Sequence, residues 1–225
     1  MTEHLFGIKA VIYDVDGTMV NSEPLHVTSW DSALQLSSHG LMDLSDDFRA
    51  TMAGKKPIVI AEGMVNELHL PVQPKELLDT KSSIFLEKVK TELEGMPGVV
   101  ESVNRLHSDG YELAIGTSLD RDYINVVLAR LGLVGSFKVI VTGDQIKNGK
   151  PDPETYLTVL SELGLGPREC VVLEDANSGI QSAKAAGAWC VAVENKNAVP
   201  QDTREADIVV YSLDEVTTEL LRRLS

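Results

Sequence analysis

Four short polar clusters interrupt an otherwise apolar or amphipathic chain, and each carries groups able to act on a charged ligand. The first is Asp14-Val15-Asp16-Gly17-Thr18. Two carboxylates two residues apart at a strand end can point to one side, where one can serve as nucleophile and the other as general acid and base. Acidic residues at strand ends also cap turns, so the pair alone fixes no chemistry. The second cluster, Gly116-Thr117-Ser118, offers a hydroxyl and backbone N–H groups to phosphate oxygens; it can equally form a turn or a helix N-cap through Ser118 or Asp120. The third is Lys150 within Gly149-Lys150-Pro151-Asp152-Pro153, where two prolines fix the backbone around one lysine and so point to a positioned charge instead of a solvated one. The fourth is Glu174-Asp175, followed by Asn177-Ser178-Gly179. Adjacent acids after an apolar run need a cation or hydrogen bonds to stay together. Magnesium, a hard ion taking oxygen ligands, would suffice; an exposed acidic turn is the plainer alternative.

These clusters must be positioned by regular elements. Short apolar runs at 8–13, 112–115, 138–141, 170–173, 189–193 and 208–210 read as buried parallel strands. Helical patterns at 99–106, 121–131, 153–163 and 178–186 lie between them, with Gly110, Gly132, Gly164 and Gly187 just beyond, where left-handed caps are expected. The alternation predicts a parallel sheet covered by helices on both faces. From about 23 to 93 the rhythm breaks and only helical patterns occur. Ile58, Ala61, Val65 and Leu68 share one predicted face; Leu78, Phe85, Val89 and Leu93 share another, and Pro57 and Pro74 stand near helix starts. This stretch is too long for an ordinary connection. It reads as a separate helical unit with hinges near 20–23 and 94–98.

Composition narrows the classes. The chain has 225 residues, 43% of them hydrophobic, enough for a proper core. With 20 Lys plus Arg against 34 Asp plus Glu the formal charge is −14, which opposes attraction to nucleic acid or an anionic membrane. Any anionic ligand must then meet a local positive site. No basic leader with a long apolar run opens the sequence, and no apolar stretch approaches bilayer length. Cys170 and Cys190 lie inside strand-like runs with no CxxC pair, as expected for buried small hydrophobes in a reducing, cytoplasmic setting.

In their order along the chain, DVDGT, GTS, GKPDPETY and EDANSGI resemble the haloacid dehalogenase superfamily, in the subgroup with a helical cap between the first and second strands. The resemblance covers essentially the whole sequence. It implies a Rossmann-like, three-layer α/β core with a central parallel sheet (residues 1–20 and 95–225) and an inserted all-helical cap domain (21–94). It further implies that Asp14 attacks phosphorus and that Asp16 protonates the leaving alkoxide, then takes a proton from the hydrolytic water. Thr117 and the Ser118 N–H would hold the phosphoryl group, and Lys150 would offset charge on it and on Asp14. Magnesium would be bound by Asp14, the Asp16 carbonyl and Asp175, with Glu174 orienting a metal-bound water. Dehalogenases of the superfamily lack the second acid, so Asp16 directs the expectation to a phosphatase of small phosphorylated metabolites, sugar or polyol phosphates, working as a monomer.

Ser22, Glu23, His26 and Trp30 resemble the start of the cap in phosphatases and in β-phosphoglucomutase-like enzymes alike. His26 could meet substrate or assist Asp16, or be a structural histidine; Trp30 reads as core. Mutases place an arginine shortly after the cap glycine, whereas Gly54 is followed by Lys55-Lys56-Pro57-Ile58. They also carry Ser-Lys where this chain has Leu119-Asp120, and an acid there would repel a distal phosphate. Water is therefore the expected acceptor and a phosphosugar mutase the alternative. Schiff-base chemistry on Lys55 or Lys56 needs a desolvated lysine, and this pair looks solvated. A silent regulator would be expected to have lost Asp14, Asp16, Lys150 or Asp175; all four are present. His4, His39, His69 and His107 have no partners at metal-ligand spacing, and Asn21 stands where relatives commonly have an acid.

Overall fold

The computed structural model describes residues 7–52, 55–195 and 200–224; His4 and Gly54 lie outside these. Along the chain run β1 (Ala10–Tyr13), α1 (Glu23–Gln35), α2 (Asp46–Ala50), α3 (Pro57–Leu68), α4 (Pro74–Glu92), α5 (Val99–Ser108), β2 (Glu112–Gly116), α6 (Arg121–Leu131), β3 (Val139–Val141), α7 (Glu154–Leu163), β4 (Cys170–Glu174), α8 (Asn177–Ala185), β5 (Trp189–Val193), β6 (Ile208–Val210) and α9 (Thr218–Leu221). The six apolar runs are thus the six strands. Gly132 and Gly164 end α6 and α7 in the left-handed conformation.

All strand pairs are parallel and the order is β3-β2-β1-β4-β5-β6. The side-chain period of two divides β1 cleanly between the faces of the sheet. Ala10 and Ile12 join Ala114, Val172 and Cys190 beneath Val159 and Leu160 of α7 and Ile180 and Ala183 of α8. Tyr13 points the other way, where its hydroxyl lies 2.8 Å from Ser102 Oγ of α5 and its ring meets Phe137 edge-on at 5.9 Å. Helices therefore cover both faces. Cys170 and Cys190 are free and buried. Among the described residues no helix is long and apolar enough to cross a membrane.

The chain packs as two units. One comprises the residues up to Ser22 with those from Leu93 onward; the other is Glu23–Glu92. In the second, helical unit, Trp30, Ala33 and Leu34 of α1 close a core with Ile60, Ala61 and Met64 of α3 and Leu77 of α4. The buried face of α3 is centred on Ile60, Ala61 and Met64, while Ile58, Val65 and Leu68 are only half-buried. Gly63 explains part of this rotation: a Cβ there would sit 2.2 Å from the Phe48 ring, so the bare backbone lets that ring pack along the helix. On α4 the buried stripe is Leu77, Lys81, Phe85 and Val89, one residue every four. A lysine thus occupies a position where the period demands an apolar side chain.

The Tyr13–Ser102 pair supports the sheet's α5 face. Tyr13→Phe leaves the buried Ser102 hydroxyl without that partner and should lower unfolding free energy by about 1–3 kcal/mol. Urea denaturation read by circular dichroism checks it; an unchanged midpoint would show the bond to contribute nothing.

Candidate active site

In an open parallel sheet ligands bind beyond the carboxyl ends of the strands where the strand order reverses. Here the chain runs outward from β1 through β2 to β3, then returns to place β4 on the opposite side of β1. The reversal therefore lies between β1 and β4. Tyr13 aligns with Ile115 on one side and Leu173 on the other, so Asp14, Gly116 and Glu174 follow at the next rung of three adjacent strands. The Asp14 N–H donates to Leu173 O at 3.0 Å, which locks this level.

Lys150 ties the rung together. Its Nζ donates to Asp14 Oδ1 at 2.6 Å, to Glu174 Oε1 at 2.7 Å and to the Gly116 carbonyl at 3.1 Å. An ammonium has three N–H donors, and all three are engaged by protein acceptors. In this arrangement Lys150 can act on a phosphoryl group by its charge, not by a direct hydrogen bond. Glu174 is equally saturated: Oε1 also accepts from Tyr156 Oη at 2.8 Å, while Oε2 accepts from the N–H groups of Asp175 (3.0 Å) and Ala176 (3.1 Å). Gly179 permits this, because a Cβ there would lie 1.6 Å from Glu174 Oε1. Gly17, at φ +88°, makes the turn after Asp16, and a Cβ there would meet Asp175 Oδ2 at 2.1 Å.

Asp14, Glu174 and Asp175 bring carboxylate oxygens within 4.8 Å of one another, and all three residues are buried. One lysine faces them. Burial pushes the Asp14 carboxyl well above the usual range, Lys150 opposing and Glu174 and Asp175 adding to the rise. Asp175 is pushed up to about 7 by burial, then by Glu174 and Asp16. Burial alone would pull the Lys150 ammonium down, but Asp14 and Glu174 outweigh it and hold it above the lysine range. The cluster is short of positive charge. Its donors are all hard oxygens, which fit a magnesium-like cation. With Glu174 saturated, Asp14 and Asp175 are the carboxylates best able to take one.

The other expected residues of this unit sit around the same strand ends. Asp16 accepts a hydrogen bond from Ser22 Oγ, and Thr18 Oγ1 donates to Asp175 Oδ1 at 3.4 Å. Thr117 is buried; its Oγ1 accepts from the Leu119 N–H at 3.2 Å, leaving its hydroxyl proton to donate. Ser118 is exposed in the turn after β2. Asp120 caps α6, accepting from the Tyr123 N–H at 2.8 Å.

His26 belongs to the helical unit, where a pocket of about 420 Å³ is lined by His26, Trp30, Arg49, Lys55, Ile60 and Lys81 among others. Lys81 Nζ lies 2.6 Å from His26 Nδ1, and 4.6 and 5.5 Å from the ring centres of Phe85 and Trp30. The imidazole stacks on Phe85 at 4.1 Å with 7° between planes. Burial, and then Lys81, bring the His26 pKa down to about 4. With Nδ1 accepting from the ammonium, the neutral ring carries its proton on Nε2. Lys55 and Lys56 are exposed.

Tyr156, Lys81 and Arg49 received no role from the sequence. Tyr156 closes GKPDPETY, and Lys81 breaks the apolar period of α4; both signals were available. Arg49 reaches the pocket from α2, upstream of Gly54, where spacing after that glycine could not reveal it. A neutral, half-buried His26 should show ring ¹⁵N shifts that stay constant from pH 5.5 to 8. Because its folded pKa lies below its unfolded one, it should weaken folding as pH falls from about 6.5 to about 4. A ring titrating near 6.5 would contradict the Lys81 pairing.

Residues 11–193 match the family model of haloacid dehalogenase-like hydrolases. The chain is 36% identical over 184 residues to a phosphorylated carbohydrates phosphatase of Thermotoga maritima, covering 80% of this chain and 82% of the relative. It is 34% identical over 218 residues to hexitol phosphatase A of Escherichia coli, covering 93% of each. A candidate β-phosphoglucomutase of Thermotoga maritima superposes with a TM-score of 0.85 at 29% identity, over 95% of this chain and 98% of that one. The chain therefore belongs to the haloacid dehalogenase-like hydrolases, in the group of phosphatases and β-phosphoglucomutase-like proteins.

Proposed function

We propose that this protein is a magnesium-dependent phosphatase of sugar or polyol phosphates that works through phosphorylated Asp14. The observation that carries the reading is the Asp14–Lys150–Glu174 rung beside Asp175, a buried carboxylate nucleophile held by one cation in a cluster that still lacks positive charge. The names of the relatives, phosphatases of phosphorylated carbohydrates and of hexitols, support the ester class.

Asp14 and Asp175, with the Asp16 main-chain carbonyl and Glu174 close by, would hold the ion, which would supply positive charge to the phosphoryl oxygens. Asp14 attacks phosphorus in line, and the bond from phosphorus to the ester oxygen breaks. Asp16 gives its proton to the departing alkoxide. In the second half a water attacks the aspartyl phosphate, Asp16 takes that water's proton, and inorganic phosphate leaves. Ser22, donating to Asp16, orients the carboxyl for both transfers. Lys150 keeps Asp14 ionised and aimed, while the Thr117 hydroxyl and the Ser118 N–H hold the transferring group. The Glu23–Glu92 unit acts as the cap domain. Its own pocket offers Lys81 and the His26 Nε2–H to a hydroxyl or an anion.

A second reading, phosphosugar mutase, gains from Arg49. The arginine missing after Gly54 has a counterpart that lines the same pocket from α2, although its guanidinium is tied to Asp46 and the Leu41 carbonyl. Phosphate release from a panel of phosphomonoesters, β-glucose 1-phosphate included, separates the two. Release that depends on magnesium and disappears with chelator is expected. Conversion of β-glucose 1-phosphate to glucose 6-phosphate with little phosphate freed would establish the mutase.

Asp14→Asn keeps volume but loses the nucleophile, so turnover should fall by at least about a thousandfold with the fold intact. Activity near the parent's would end the aspartyl-phosphate mechanism. Lys81→Met suits the apolar α4 stripe but removes the hydrogen bond to His26, and thermal melting reads the net effect on stability. The same change should lower kcat/KM at least about tenfold by removing a charged ligand contact. A large stability loss with kcat/KM unchanged would make Lys81 structural instead.

A further inference from the structure

We propose that Tyr156 is a positioning residue that divides the Lys150 ammonium between its two carboxylates, keeping it on Asp14. The inference rests on the reading of Asp14 as nucleophile and deepens it. Tyr156 is fully buried on α7, and its hydroxyl donates to the same Glu174 oxygen, Oε1, that accepts from Lys150. Its ring also lies under the ammonium, with Nζ 4.8 Å from the ring centre. One side chain thus touches both the cation and the anion that competes with Asp14 for it.

Lysine is a point charge on a flexible stem, and nothing in its own geometry chooses between two acids. At 2.6 Å from Asp14 and 2.7 Å from Glu174, Nζ is balanced between them. A Glu174 oxygen bonded to Lys150 alone would carry more unshared charge in a buried setting and would draw the ammonium its way. The phenol hydroxyl occupies the second lone pair of Oε1 and removes that pull. The aromatic face below confines the ammonium to the rung. Gly116 makes the placement possible: a Cβ there would lie 3.0 Å from the Tyr156 ring, and the Gly116 carbonyl is the ammonium's third acceptor. A Phe at 156 would keep volume, ring and floor and lose only the O–H.

The test compares wild type, Tyr156→Phe, Glu174→Gln and the double variant by two readouts. One is the ¹H–¹⁵N signal of the Lys150 ammonium in lysine-labelled protein, assigned by its loss in Lys150→Met. The other is the split between kcat and KM for whichever ester of the panel is hydrolysed. Thermal midpoints confirm that each variant folds. Tyr156→Phe should move the ammonium signal and lower kcat about tenfold or more, with KM changed less than about twofold. In the Glu174→Gln background the same change should move neither further, because the oxygen through which Tyr156 acts is already altered. An unmoved signal, a fall in thermal midpoint with kcat intact, or effects that add in the double variant would each overturn the proposal. If the wild type releases no phosphate from any ester, the proposed function falls, while the ammonium signal still decides what Tyr156 does.

Discussion

An ammonium buried among the ends of three strands is the constraint from which the rest of the site follows. Lys150 and Glu174 are nearly inaccessible to water, with side-chain exposures of 7% and 1%. Charges so placed persist only when their hydrogen-bonding capacity is filled, since an unpaired buried ion costs several kcal/mol. The register of the parallel sheet meets this need by bringing Asp14, Gly116 and Glu174 to one rung. A shift of either neighbouring strand by one residue would take its terminal group out of the rung and leave the lysine short of one acceptor. Gly17 and Gly179 belong to the same constraint: at each, a Cβ would occupy space that a carboxylate of the cluster now fills. The motifs are therefore not separate features. They are one charge arrangement distributed over the ends of β1, β2 and β4 and the segment leading into α7.

The electrostatics of that arrangement reconcile a −14 chain with an anionic ligand. The net charge acts over long range and is screened beyond roughly 8–10 Å of salt solution. At the rung, short distances and burial make the local balance decisive. Burial and mutual repulsion raise Asp14 and Asp175 because three carboxylates share one lysine. Such a cluster favours a divalent cation, and only with its charge so offset does it favour a phosphoryl group. The sequence of preferences is set by charge and distance at the site, and the acidic exterior does not alter it.

Much of this was legible from residue order. Strands announced themselves as short apolar runs, and three of the four chemical clusters fell directly at the end of one, as parallel α/β topology requires, with Lys150 further on in the segment between β3 and α7. What could not be read is instructive. Periodicity placed Leu78 on the face of α4, yet Leu77 is the buried residue, because a stripe of one in four passes through Lys81 and Phe85. On α3 the ring of Phe48 from α2 lies on Gly63; no window along the helix contains that contact. Saturation of Lys150 and Glu174 was likewise invisible. Residue types give the number of donors and acceptors, but only coordinates show that every one is taken. The Tyr156 hydroxyl falls in the same class, since an aromatic on the inner face of a helix reads as core until its oxygen is located.

Lys81 shows how a broken local rule carries information. A charge in the middle of an apolar stripe opposes burial, and the His26 imidazole and the Phe85 and Trp30 faces beside it offset part of that cost. Packing alone would favour leucine or methionine there. The position borders a pocket lined also by His26 and Arg49, and broken local rules tend to gather at such places. Contrast Lys150, whose three donors go to Asp14, Glu174 and the Gly116 carbonyl, with none left for a ligand. Two buried lysines in one chain thus differ in kind. Lys150 is fixed by two carboxylates and a main-chain carbonyl, whereas Lys81 lies against an imidazole and two aromatic rings.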